Sequence, residues 1–97
     1  MPKFVMLSTL GPEGSARLSE NPERLREVSS EVEAMGVKVL AQYALLGNWD
    51  FINILEAPDA ATMARVATSL ASRGTLKTMT LPLVEIDELI ASLKQGI

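Results

Sequence analysis

The sequence predicts an α+β domain of ferredoxin-like type: order β-α-β-β-α-β, one four-stranded antiparallel sheet and a short C-terminal helix. Three observations predict it. Stretches 2–10, 37–46, 49–55 and 75–86 alternate apolar and polar residues or are rich in β-branched and aromatic ones, as strands are. Stretches 21–36 and 59–73, lying between strands, repeat apolar residues at helical spacing. Gly47-Asn48, two residues that tolerate positive φ, join the second and third strands as an antiparallel hairpin. The elements fill residues 1–97 as a single domain, a length at which roughly 65% of the unfolded surface is buried.

In the first strand Val5 and Leu7 take one side, and Phe4, Met6 and Ser8 the other. Residues 11–20 contain Gly-Pro and Glu-Gly and read as a long connecting loop. Asn21-Pro22-Glu23 opens the first helix with a cap residue, a proline at the first helical position and an acid in the first turn. Leu25, Val28, Val32 and Met35 form its apolar stripe, and Gly36 ends it. In the second strand Val37, Val39, Ala41 and Tyr43 alternate with Lys38, Leu40, Gln42 and Ala44. In the third, Ile52 and Ile54 share a face with Asp50 and Glu56, opposite Trp49, Phe51, Asn53 and Leu55. Pro58 stops that strand, and Asp59 caps a helix whose stripe is Met63, Val66 and Leu70, with Gly74 as its end. Pro82 has no N–H for a ladder, which places the fourth strand at an edge or a bulge. Asp87 is expected to cap a terminal helix carrying Leu89, Ile90 and Leu93, with residues 95–97 as a frayed end.

Composition narrows the chemistry. The chain has no cysteine and no histidine, so disulfides, thiolate chemistry and the common nucleophilic triads are excluded, along with the usual general base and metal ligand. Nine basic against twelve acidic residues give a net charge of −3, and the basic ones are scattered, which disfavours nucleic acid as a partner. There is no apolar run of membrane-spanning length and no signal-peptide pattern. The expectation is a cytoplasmic protein with no membrane partner, no metal and no cofactor.

Right-handed crossovers put both main helices on one face of the sheet. Phe4, Met6, Leu40, Trp49, Phe51 and Leu55, with Ser8, Gln42, Asn53, Thr78 and Thr80, are expected on the other, uncovered face. That much apolar surface implies a partner. A second copy packing sheet to sheet would give a closed dimeric α+β barrel. The polar residues within that face suggest a cavity between the two sheets.

The chain also resembles the GYD domain family along nearly its whole length. The resemblance is carried by Glu13-Gly14, Asn21-Pro22-Glu23-Arg24, Ala34-Met35-Gly36, Gly47-Asn48-Trp49-Asp50, Pro58-Asp59, Gly74 and Thr80-Leu81. The naming motif of that family has tyrosine where this chain has Trp49, and its frequent arginine after threonine-leucine is replaced by Pro82. The resemblance implies a ferredoxin-like fold of the dimeric α+β barrel type. It implies no activity, since that fold hosts enzymes and ligand-sensing regulators alike.

The candidate site residues follow from position. Asp50, beside the hairpin turn, is the one candidate base; alternatively it accepts backbone hydrogen bonds and fixes the turn. Trp49 can stack on a flat ligand or pack at a dimer interface. Tyr43 can donate to a ligand or pack at the end of the sheet. Gln42, Asn53, Thr78 and Thr80 can line a cavity or form a hydrogen-bonded layer between sheets. Arg17 can hold an anionic ligand over the cavity mouth or stand free in water. Asp50 and Glu56 are six positions apart, roughly 20 Å along a strand at about 3.3 Å per residue, too far to share a metal. The expected function is a homo-oligomeric small-molecule-binding module with its cavity between facing sheets. Two alternatives stay open: an assembly protein without ligand, and a cofactor-free oxygenase or isomerase.

Overall fold

The computed structural model describes residues 1–73 and 76–96. The strands are β1 (Lys3–Leu10), β2 (Lys38–Ala44), β3 (Phe51–Glu56) and β4 (Leu76–Leu83). The helices are α1 (Pro12–Glu20), α2 (Arg24–Ala34), α3 (Ala60–Ala71) and α4 (Ile86–Lys94). The four strands form one antiparallel sheet in the order β2-β3-β1-β4, the ferredoxin-like arrangement. Pro82 lies on the edge strand β4, as a residue without an N–H must. The expected Gly74 cap, the Thr75 strand start and Ile97 lie outside the described residues.

The expected helix signals act as read in α3. The Asp59 carboxylate accepts the Thr62 N–H at 2.7 Å, and that bond holds its pKa below the ordinary aspartate value. Met63, Val66 and Leu70 are the buried stripe of α3, each contributing about 1.5–3 kcal/mol by leaving water. Gly36 adopts φ +94° after α2, in the left-handed region that favours glycine, and Gly47 does so in the hairpin turn at φ +120°.

Four local expectations are corrected. Residues 12–20 form a helix, not a loop: Pro12 stands at its first turn, Glu13 follows, and the Ser15 N–H donates to the Gly11 carbonyl at 2.9 Å. Asn21 ends α1, its N–H on the Arg17 carbonyl, and does not cap α2 with its side chain. Asp87 sits inside the first turn of α4, whose N-cap is Glu85. Trp49 precedes β3 and lies in the turn.

The larger correction concerns the two faces of the sheet. The register sets Phe4 opposite Leu55 and Pro82, Met6 opposite Asn53 and Thr80, and Ser8 opposite Phe51 and Thr78. These residues do share one face, as expected, but it is the face the helices cover. Phe4, Met6 and Leu55 are buried in the core with Val32, Val37, Met63, Val66 and Leu70. The uncovered face carries Val5, Leu7, Ile52, Ile54, Met79, Leu81 and Leu83. In β2 a bulge between Val39 and Ala41 breaks the alternation. Val39 therefore faces the helix layer beside Leu55, whereas Ala41 and Tyr43 fall on the open side, opposite Ile54 and Ile52. Both faces are apolar, so alternation sorted the residues without saying which set meets the helices.

Helix α4 buries none of its residues. Ile86, Leu89, Ile90 and Leu93 form an exposed apolar stripe on it. The chain measures 53 × 29 × 19 Å, longer than a compact two-layer domain of this size.

Candidate functional site

Between the sheet and the layer of α1 and α2 lies a cavity of about 230 Å³. Met6, Ser8, Gln42, Phe51, Asn53 and Leu55 form its floor on the sheet, and Gln42 and Asn53 are direct cross-strand neighbours. Leu18 of α1 and Leu25, Val28 and Val32 of α2 form its roof. The helical form of residues 12–20 thus has a consequence, because α1 brings Gly14, Arg17 and Leu18 to the cavity. Gly14 is the buried residue of α1 and reaches the cavity wall.

Three arginines also line it: Arg17 of α1, Arg24 of α2 and Arg73 after α3. Arg24 donates through Nη1 to Glu27 Oε2 at 3.0 Å and Glu31 Oε1 at 3.3 Å. Arg73 pairs with the other oxygen of Glu31. The Arg73 guanidinium, and after it Arg24, hold the Glu31 carboxyl below the ordinary glutamate value. The hydrogen bond to Glu27, with Glu31 adding to it, raises Arg24 further above its usual value. Among the described residues Arg17 makes no ion pair.

The structure separates the residues singled out from sequence. Gln42, Asn53 and Arg17 come together in this cavity. Thr78 and Thr80 share its sheet face, outside the lining, opposite Ser8 and Met6. The Thr80 hydroxyl is enclosed with no hydrogen-bond partner among the described residues. Tyr43 is 62% exposed on the open face. Trp49 is half-buried in the turn, away from the lining. Asp50 is engaged with backbone: its Oδ2 accepts the Leu10 N–H at 2.7 Å. Its own N–H donates to the Ser8 carbonyl at 2.9 Å, and its carbonyl accepts the Leu45 N–H at 2.7 Å. The arrangement can bind a small molecule by apolar contact, neutral hydrogen bonds and guanidinium charge.

Arg24, Arg73 and the whole roof from α1 were missed from sequence. A signal existed for α1, since Gly11-Pro12-Glu13 repeats the helix-start grammar of Asn21-Pro22-Glu23. Arg73 carried none, because only the docking of α3 brings it beside α2.

The sequence matches the GYD domain family from residue 4 to residue 93. The chain belongs to that family. This GYD domain is 55% identical over 95 residues to a Thermus thermophilus protein described as glutamine synthetase and cystathionine beta-lyase binding protein. The alignment covers 97% of this chain and 100% of the relative. Among solved structures, the GYD domain resembles FFRP-DM1, with a TM-score of 0.59 and 19% identity, over 87% of this chain and 100% of that one. That likeness shows the fold alone. No helix among the described residues is long and apolar enough to cross a membrane.

Proposed function

We propose that this GYD domain is a homodimeric binding protein that docks onto enzymes such as glutamine synthetase and cystathionine β-lyase. The observation that carries the docking is the 55% identity to a binding protein of that description, over the whole length of the relative. The open sheet face supports a second copy as its own occupant. Strands of six to eight residues at about 3.3 Å each, four abreast at about 4.8 Å, offer roughly 450 Å² per copy, or about 900 Å² in all. Stable interfaces bury about 1,200–2,000 Å², and the exposed apolar stripe of α4 is further surface that a partner copy can cover. The test is surface plasmon resonance with the GYD domain immobilised and the two purified Thermus thermophilus enzymes in solution, beside the relative as a positive control. Saturable binding of at least one enzyme is expected; binding to the control alone would overturn the docking.

A second reading, small-molecule binding, is supported by the cavity, which moves from between two sheets to beneath α1 and α2. A thermal-shift screen of metabolites tests it, with a raised melting temperature for a binder. Binding is preferred to turnover because the candidate base Asp50 lies outside the lining, occupied by the Leu10 N–H.

A further inference from the structure

We propose that the cavity beneath α1 and α2 takes a small amphipathic monoanion, a short apolar chain ending in a carboxylate, with Arg17 as its anchoring cation. The proposal rests on the small-molecule reading and goes on to the class of ligand. Three observations carry it: the sign of the lining, its charge balance and its size.

Every charged residue in the lining is an arginine, Arg17, Arg24 or Arg73, in a chain whose net charge is −3. A cavity lined by one sign inside a protein of the other sign concentrates the ions it attracts. The balance then sets the ligand charge. Arg24 and Arg73 are matched by Glu27 and Glu31, two guanidiniums against two carboxylates joined in one network. Arg17 is left over, with no ion-pair partner among the described residues. Ser8, Gln42 and Asn53 are uncharged and add hydrogen-bonding capacity without altering this balance. One uncompensated positive charge matches a monoanion; a dianion would have to break the Glu31 network to be neutralised. A planar guanidinium and a carboxylate form paired N–H···O bonds, stronger than neutral ones.

The cavity volume of about 230 Å³ falls below the ~300–1,000 Å³ of sites for drug-sized ligands. The lining beyond the arginines is mainly apolar, with Met6, Leu18 and Leu55 among its walls. A chain of about six carbons places its body against these groups and its carboxylate at Arg17. Arg17 is exposed in the empty site, so the ion pair forms at the rim and is weakened by salt.

The experiment is isothermal titration of the intact chain with sodium hexanoate, neutral hexanamide and cationic hexylamine, at low and high salt. Hexanoate is expected to bind saturably, about tenfold or more tighter than hexanamide, the worth of one charge-assisted hydrogen-bonded pair. Hexylamine should be the weakest. Arg17→Gln should reduce hexanoate affinity to that of hexanamide, leave hexanamide affinity unchanged and keep the wild-type urea midpoint, since Arg17 makes no ion pair among the described residues. Arg17→Lys should restore part of the preference. Equal affinity for hexanoate and hexanamide, or hexanoate binding that ignores Arg17→Gln, would overturn the anion proposal while leaving the small-molecule reading intact. Binding of none of the three probes would overturn the anion proposal, and the metabolite thermal-shift screen would then decide the small-molecule reading.

Discussion

The hydrogen bonds of Asp50 tie together three places: the end of β1, the turn before β3 and Leu45 just after β2. Its carboxylate fixes the Leu10 N–H one residue before the cap of α1. The side chain therefore helps set where α1 leaves the sheet, and so where Arg17 sits above the cavity. Asp50→Ala removes a charged acceptor and strands a half-buried N–H. It is expected to cost about 1–3 kcal/mol, read as a lower urea midpoint at unchanged slope; Asp50→Asn, whose amide oxygen can still accept, should recover most of the loss. At this scale the sequence was informative about bonding and silent about address. Asp at a turn was expected to take backbone hydrogen bonds, and Asp50 takes one. Nothing local to residues 49–51 says that the donor is Leu10, forty positions away.

At the scale of elements, α2 and α3 are joined at the cavity rim by Glu31, which touches Arg24 on its own helix and Arg73 beyond the end of α3. Because the folded Glu31 carboxyl lies below the ordinary glutamate value, the native state favours its charged form. Its contribution is full above the usual value of about 4.3 and is lost as pH falls through the lowered one. Wild type should exceed Glu31→Gln in urea midpoint at pH 7, and the gap should narrow progressively as pH falls below the ordinary glutamate value. The pair is about one-third exposed, so added salt should shrink the gap at pH 7. Elements with a strong period and a cap were legible from sequence: α3, with Asp59 and the Met63, Val66 and Leu70 stripe, is the clearest. Helix α1 was not. Its polar composition and Gly14 obscure the period, and only the fold shows that Gly14 lies against the cavity wall.

The whole molecule leaves one sheet face and α4 without cover. Under the proposed dimer, sedimentation velocity should give a species of twice the chain mass. Ile54→Lys, which sets a charge in the middle of the open face, should give a monomer with its helix-covered core intact. A wild-type monomer at micromolar concentration would end that proposal. The strand order and register bear out what the sequence determined by itself: four strands, though the fourth ends at Leu83 and Ile86 opens α4, the hairpin at Gly47-Asn48, a helix in each crossover, and the grouping of Phe4, Met6, Asn53 and Leu55 on a single face. These follow from period, caps and turn residues, all local in the chain. Tertiary structure alone decided which face the helices cover, and with it that Gln42, Asn53 and Arg17 meet beneath helices and that Tyr43 does not join them. The physical reason is that period two assigns side chains to alternate faces but carries no label for the face. With Val5, Leu7, Ile52 and Ile54 on one side and Phe4, Met6 and Leu55 on the other, hydrophobicity could not break the tie. The crossovers, the bulge at Val39–Ala41 and the packing of α3 against β4 and α2 against β2 broke it.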